Sequence, residues 1–437
     1  MDRIELRGIK SIRGGLVPPP DKSISHRAVI FSSLAKGKSL VKNFLMAEDT
    51  MSTVAAFRAL GTDIEVRGGE LSIHGKGIHG LKEPGNVIDC RNSGTTMRLI
   101  SGVLSGNPFF SVLSGDDSLR KRPMQRVIVP LRQMGAGITG RDNDRYPPIA
   151  IKGGGLKPIS YVLPVASAQV KSSVLLAGLY AGGETEVLEP LQSRDHTERM
   201  LPSFGAEIVV KGLSVRVKGA AELRARETIV PGDFSSAAFF MVASLLLEGS
   251  EIIIKDVGTN PTRTGLINVL KRMGAEITVE QVREVSGEPV ADILCRGGSP
   301  LKAITIQADE MPLLIDEFPI LCIAAARAEG TTEITGAGEL RVKESDRIRA
   351  MATELKKFGV ELEERHDGIR IKGGAVLKGC AAESYGDHRI AMSLSIAALM
   401  AEGTTTINNA SCVDISFPGF FEELKRLSLG LGMGEHG

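Results

Sequence analysis

The 437-residue sequence has no tryptophan, and aromatic residues make up only 4% of it. Surfaces that stack nucleobases or sugar rings need such side chains, so single-stranded nucleic-acid binding is disfavoured from the outset. An excess of either charge is missing too: 53 Lys and Arg face 52 Asp and Glu, for a formal net charge of +1. No global basic field exists to hold nucleic acid or an anionic membrane, so any recognition of anions must be local. The longest apolar run, Ala237–Leu247, is broken by Ser244 and falls short of the roughly 18 residues a membrane span requires. Between Met1 and Gly15 stand Asp2, Arg3, Glu5, Arg7, Lys10 and Arg13 with no apolar core, which does not read as a secretory signal. The five cysteines, Cys90, Cys295, Cys322, Cys380 and Cys412, form no Cys-x-x-Cys pair and read as reduced cytosolic thiols. A Walker A loop, a Gly-x-Ser-x-Gly elbow, a zinc-ligand spacing and a His-Glu-x-x-His helix are all absent, which removes P-loop enzymes, the usual serine hydrolases and zinc enzymes. Gly75–Gly80 matches a dinucleotide fingerprint by letter, but Pro84 and Gly85 follow where that fingerprint needs a helix.

What the sequence has in excess is glycine, 50 residues or about 11% against a usual 7% or so. By size alone the chain suggests roughly three domains. Much of the glycine belongs to an internal repeat. A small-residue apolar helix, a Gly turn and a β-rich segment recur at Gly37, Gly106, Gly183, Gly249, Gly330 and Gly403, with spacings of 66 to 81 residues. Glycine reaches the left-handed conformation that ends a helix, and the Val/Ile/Thr-rich stretch after it prefers a strand. A second helix in five of the units ends at Gly61, Gly135, Gly205, Gly274 and Gly359, and the sixth copy is cut short at Leu424–Leu427. Upstream of the first set of glycines lie capping residues, at Asp21, Ser167, Asp233 and Asp387, and at Asn92 and Asp316. These predict six helix N-termini, each with unpaired N–H groups and partial positive charge suited to an anion. Val230-Pro231-Gly232 is the predicted domain boundary, Arg141–Pro148 a loop, and the glycine-rich tail Ser428–Gly437 a mobile end.

Several of these helix starts carry groups able to do chemistry. Asp21–Arg27, entered from Pro18-Pro19-Pro20, gathers Lys22, Ser23 and Arg27 on its first turns, where a phosphate or carboxylate would meet ammonium, guanidinium and backbone amides together. Asn92–Arg98 repeats the theme, with Gly94 allowing a ligand close to the backbone. Ser118–Pro123 is a short basic cluster, most simply a wet surface; Ser167-Ala168-Gln169 opens the third helix, and Arg194–Thr197 lies in a loop. In the second half Arg341–Arg347 is expected to begin a helix, which would put Lys343 and Arg347 on one face beside Glu344, two cations needing an anion between them. Asp316 and the trio Asp387-His388-Arg389 start two more helices. The residues alone therefore describe an anion site with acids and bases.

Taken in order, DKSISHRA, NSGTTMR, KRP, SAQ, RVKESDR and GDHRIAM closely resemble the 5-enolpyruvylshikimate-3-phosphate (EPSP) synthase family, nearer to the form common in Gram-positive bacteria than to the enteric one. The resemblance runs to about Leu427. It implies a two-domain inside-out α/β barrel, each domain of three βαβαββ units with pseudo-three-fold symmetry: residues 1–20 plus 231–437 form one domain, 21–230 the other, with a hinge near 20 and 230 and the N-terminal strand completing the sixth unit. It implies transfer of the enolpyruvyl group of phosphoenolpyruvate to the 5-hydroxyl of shikimate 3-phosphate by a cytoplasmic monomer, with no metal or organic cofactor. Carried over by position, Lys22, Ser23, Arg27, Ser167, Ala168, Gln169, Arg194, Asp316 and Lys343 would hold shikimate 3-phosphate. Lys22, Gly94, Arg122, Gln169, Arg347 and Arg389 would hold phosphoenolpyruvate. Asp316 would be the base for the hydroxyl, Glu344 the proton donor and acceptor at the methylene, Lys22 the stabiliser of departing phosphate, and His388 the group orienting Glu344.

Two positions depart from the enteric pattern: Ile415 stands where a lysine precedes the Thr-Phe-Pro segment, and Leu99 where a proline follows Met-Arg. Two other readings stay open at this level. The sister enzyme that acts on UDP-N-acetylglucosamine shares the fold, but has Lys-Asn in place of Lys22-Ser23 and usually a loop cysteine, and Ser114–Pro123 contains none. A non-catalytic phosphometabolite-binding protein would need the helix starts but not Asp316 and Glu344.

Overall fold

A computed structural model describes residues 2–220 and 222–429; most of the tail expected to be mobile lies outside the described residues. The chain divides into two compact units. The first is Pro20–Pro231 with the short segment Glu284–Glu288; the second comprises the residues up to Pro19, Gly232–Arg283 and the chain from Pro289 onward. Nothing in the sequence pattern signalled that Glu284–Glu288, the tip of a hairpin between Glu276–Val285 and Glu288–Arg296, would group with the first unit.

Among the described residues each unit has three sheets, and the repeat seen in the sequence is a repeat of sheet topology. In the first unit the strand orders are Glu227–Ile229, Lys36–Lys42, Glu70–Lys76, Asp63–Arg67; then Ile88–Asp89, Phe110–Ser114, Tyr146–Lys152, Gly137–Gly140; then Ser160–Val162, Glu184–Leu188, Ser214–Lys218, Ile208–Lys211. The first pair in each is parallel and the other two are antiparallel. A parallel pair needs a crossover. In the second and third of these sheets a helix, Gly94–Ser105 or Ala168–Gly178, provides it.

The second unit repeats this with Arg13–Leu16 parallel to Glu251–Gly258 and Thr305–Ile306 parallel to Thr331–Ile334. Its third sheet has three strands: Ala381–Glu383 parallel to Thr404–Asn408, and Arg3–Arg7 antiparallel to the latter. Arg3–Arg7 thus supplies the antiparallel neighbour that the shortened sixth copy lacks.

The long helices form the interior. In the second unit Phe234–Leu246, Phe318–Arg327 and His388–Ala398 pack on one another and are buried along almost their whole length. In the first, Gly94–Ser105 packs so closely on Ala168–Gly178 that a Cβ at Gly102 would sit 2.1 Å from the Ser173 carbonyl oxygen. Each unit has its own hydrophobic core. This is an α/β fold with helices inside and sheets outside, in two units of three repeats.

Five of the first-set glycines take positive φ, as do all five of the second set. Gly106 does not: at φ −83° it is needed because a Cβ there would overlap the Tyr180 ring. The caps at Asp21, Ser167, Asp233 and Asp387 form as expected. Two are displaced by one residue. Ser93, not Asn92, caps the second helix, since the Asn92 side chain is taken by Arg122 and Asp116. The fifth starts after Glu317 without a side-chain cap, with Pro319 in its first turn where a missing N–H costs nothing.

Other segments also differ from expectation. Pro147 and Pro148 lie in the strand Tyr146–Lys152, ahead of its ladder with Phe110–Ser114, and the turn before it is made by left-handed Asp142, Asn143 and Asp144. Arg194–Thr197 is not all loop, because a short helix spans His196–Met200. The Arg341 segment is a 3-10 turn, Gly338–Val342, and the α-helix begins only at Arg347, where Asp346 accepts from the Arg349 amide at 3.0 Å. Lys343 therefore does not share a helical face with Arg347.

Candidate active site

In the first unit the expected residues gather at helix starts. The Asp21 carboxylate accepts from the Ile24 amide at 2.8 Å, and this fixes the first turn bearing Lys22 and Ser23. The Lys22 ammonium lies 3.0 Å from Asp49 Oδ2. One turn on, Arg27 is almost fully buried; it donates from Nε to Thr197 Oγ1 at 2.8 Å, from Nη2 to Ser172 Oγ at 2.8 Å and from Nη1 to the Ser23 carbonyl at 3.0 Å. Burial draws its guanidinium down to about 10, partly opposed by Glu198, Asp21 and Glu288, while Arg194 adds to the lowering. It stays a cation at neutral pH. His26 beside it is buried, with Nδ1 2.7 Å from Thr53 Oγ1; burial, then Lys22 and Arg27, push its pKa well below the ordinary 6.5.

The second and third helix starts meet through side chains. Arg98 donates to Gln169 Oε1 at 2.5 Å, and Gln169 Nε2 donates to Thr95 Oγ1 at 2.9 Å. Arg122 is buried rather than part of a wet surface: Nη1 donates to the Asn92 carbonyl at 3.1 Å and Nη2 to Ser118 Oγ at 3.1 Å, while its neighbours Arg120 and Lys121 are exposed. A Cβ on Gly94 would lie 3.1 Å from Arg98 Nη1 and 3.4 Å from Arg122 Nη1. Gly94, Arg122 and Gln169 are thus brought together, joined by Arg98. Ser167 caps its helix by accepting from the Val170 amide at 3.4 Å, and Ala168 is that helix's first residue.

In the second unit one guanidinium organises the acids. Arg347, 1% exposed, donates from Nε to Asp387 Oδ2 at 2.8 Å, from Nη2 to Glu344 Oε2 at 2.7 Å and from Nη1 to Asp316 Oδ1 at 3.2 Å. Burial alone would lower its pKa, but Asp387, Glu344 and Asp316 outweigh that and raise it. Asp316 also pairs with Arg389, Nη2 to Oδ2 at 3.6 Å, and Arg389 donates to the Asp316 carbonyl at 3.2 Å. Asp387 caps the last helix, accepting from the Arg389 amide at 3.0 Å, so the cap is also the anchor of Arg347. His388 is buried at that helix's first position, and Lys343 is half-buried in the connection before Arg347.

Asp316, Glu344, Arg347 and Arg389 therefore form one cluster of alternating charge, while Lys343 lies between the 3-10 turn and the Arg347 helix. Sequence reasoning had not singled out Arg98, Asp49, Thr197 or the anchoring role of Asp387. For Arg98 the signal was present: it ends the Asn92–Arg98 segment one helical turn after Gly94. Thr197 likewise ends the Arg194–Thr197 segment, whereas Asp49 gave none, because its partner Lys22 lies 27 residues away.

Comparison with known proteins places the whole chain in one family. The family profile described as EPSP synthase (3-phosphoshikimate 1-carboxyvinyltransferase) matches residues 6–424. The 3-phosphoshikimate 1-carboxyvinyltransferase of Thermodesulfovibrio yellowstonii is 55% identical over 98% of this chain and 100% of its own. That of Citrifermentans bemidjiense is 54% identical over 97% and 99%. The solved structure of EPSP synthase from Acinetobacter baumannii superposes with a TM-score of 0.87 at 49% identity, covering 97% of this chain and 98% of that one. With its motifs, its two three-repeat units and these full-length likenesses, the chain belongs to the EPSP synthase (3-phosphoshikimate 1-carboxyvinyltransferase) family.

Proposed function

We propose that each unit contributes its own groups to the family's reaction. The chain is a transferase of the shikimate pathway, moving the enolpyruvyl group of phosphoenolpyruvate onto the 5-hydroxyl of shikimate 3-phosphate and releasing phosphate. Ser23, Arg27, Ser167, Ala168, Gln169 and Arg194 bind shikimate 3-phosphate in this reading, with Lys22, Lys343 and Asp316. Gly94, Arg122, Gln169, Lys22, Arg347 and Arg389 bind phosphoenolpyruvate.

The reaction must protonate the methylene carbon, deprotonate the attacking hydroxyl and neutralise leaving phosphate, which acids, bases and cations can supply. The supporting observation is that Asp316 and Glu344 both sit on the Arg347 guanidinium. An anionic substrate arriving at Arg347 and Arg389 competes with Asp316 for them and leaves that carboxylate a stronger base for the 5-hydroxyl. Glu344 then gives and retakes the methylene proton, oriented by His388, and Lys22 stabilises the departing phosphate.

The crossings near residues 20 and 230 are the proposed hinges of closure on substrate; a radius of gyration unchanged by both substrates would contradict this. We read the enzyme as a cytoplasmic monomer, for which light scattering is expected to give a single species of 46.5 kDa, and a mass of twice that would overturn the reading. Phosphate release from phosphoenolpyruvate, with shikimate 3-phosphate or UDP-N-acetylglucosamine as acceptor, tests the activity. Asp316→Ala and Glu344→Gln are expected to lower kcat by roughly 10²–10⁴-fold. Unimpaired turnover in either folded variant would remove that residue from the mechanism.

A further inference from the structure

The Ala168–Gly178 helix, whose start carries Ser167 and Gln169, also sends a lysine into the interior. Lys171 is 1% exposed, and its ammonium lies 2.6 Å from a carboxylate oxygen of Glu189 and 2.6 Å from one of Glu198. Burying an ion costs several kcal/mol unless it is well paired. Glu189 follows the strand Glu184–Leu188 and also accepts from Ser193, while Glu198 is in the short helix His196–Met200. One ammonium thereby pins both ends of the loop that carries Arg194.

A second link runs beside it. Ser172 Oγ and Thr197 Oγ1, each next in sequence to a member of the trio, lie 2.7 Å apart, and both accept from Arg27. Formal charge adds a further connection, since two carboxylates and one ammonium leave −1 in the interior. Glu198 Oε2 is buried without a hydrogen-bond partner, and Glu198 is the largest of the charges that offset the lowering of Arg27. If stability alone were at stake, apolar residues of similar volume would serve as well or better.

We propose that Lys171 is a positioning residue for shikimate 3-phosphate: it locks the Glu189–Glu198 loop onto the helix beginning at Ser167, and so sets Arg27, Thr197 and Arg194 against Ser167, Ala168 and Gln169. This rests on the assignment of Arg27, Ser167 and Arg194 to that substrate.

The test is calorimetric titration of shikimate 3-phosphate, with KM for both substrates, on Lys171→Met/Glu198→Gln and on Arg27→Ala. The double variant keeps the formal charge of the trio at −1, and circular dichroism checks that it folds. It is expected to fold but to melt below the parent, since Glu189 keeps a buried carboxylate that has lost its ammonium, to bind shikimate 3-phosphate about tenfold more weakly or worse, and to change the KM for phosphoenolpyruvate by less than about twofold. Parental affinity for shikimate 3-phosphate in the folded double variant overturns the proposal, as does an equal rise in both KM values, the mark of general damage. If Arg27→Ala also leaves the affinity unchanged, the underlying substrate assignment fails instead.

Discussion

At Gly94 the missing side chain keeps open the space between two guanidiniums. A methyl there would stand 3.1 Å from Arg98 and 3.4 Å from Arg122. Both neighbours are ends of flexible side chains, so a compact ligand can be accommodated by a small shift, whereas glyphosate, a longer molecule to which members of this family often respond, has less slack. Gly94→Ala is expected to raise the inhibition constant of glyphosate more than the KM of phosphoenolpyruvate; equal increases would contradict this. His26 allows a second prediction. Its folded pKa lies below 6.5 and its unfolded pKa near 6.5, so the unfolded chain takes up the proton first as pH falls. This contribution is absent above that window, and stability is lost below it, by about 1.4 kcal/mol between roughly pH 7.5 and 5.5. Urea unfolding of His26→Gln should show a pH slope smaller by that amount; an identical slope would mean that His26 protonates in the fold. Which polar residues matter was partly legible in the sequence. Lys22, Arg27 and Arg389 stand out because capping residues precede them, whereas Lys171 and the burial of Arg122 do not, because each depends on partners far along the chain.

Among the elements, the pairing of Gly94–Ser105 with Ala168–Gly178 has least room. Gly102→Ala would gain helix propensity of about 1 kcal/mol but drive a methyl into the Ser173 carbonyl, and relieving that overlap costs about 1–3 kcal/mol or more. The net expectation is lower stability in denaturant together with a higher KM for phosphoenolpyruvate, since spreading the helices separates Arg98 from Gln169. A variant of parental stability and KM would refute it. The repeat itself was readable because turn glycines and helix caps answer to local backbone demands. Reading failed where a side chain had a distant engagement. Asn92 is occupied by Arg122 instead of capping, and Asp346 sets the start of the Arg347 helix, which leaves Lys343 outside it. Asp316 pairs with two arginines, and the helix after it starts from Glu317 instead.

For the whole molecule, a net charge of +1 hides a segregated interior, with cations and carboxylates drawn from distant segments into alternating clusters. The second unit depends on the N-terminal strands: Ile12 and Leu16 are fully buried in its core, and Arg13–Leu16 and Arg3–Arg7 close two of its sheets. Removing residues 2–17 is expected to cost that unit at least about 3–6 kcal/mol from those two side chains and leave the first unit intact, seen as an early separate transition in denaturant. A single unshifted transition would show that the strands are dispensable.

The same connection sets an order of assembly. A ribosome makes Arg3–Arg7 first, yet its partner Thr404–Asn408 emerges some four hundred residues later. At roughly 5–20 residues per second, that is about 20–80 s. Through that interval the first unit has all of its chain up to Pro231 and can close on the Glu227–Ile229 strand, while the leading segment waits with unpaired edges. The first part of the protein to be made is among the last to be placed.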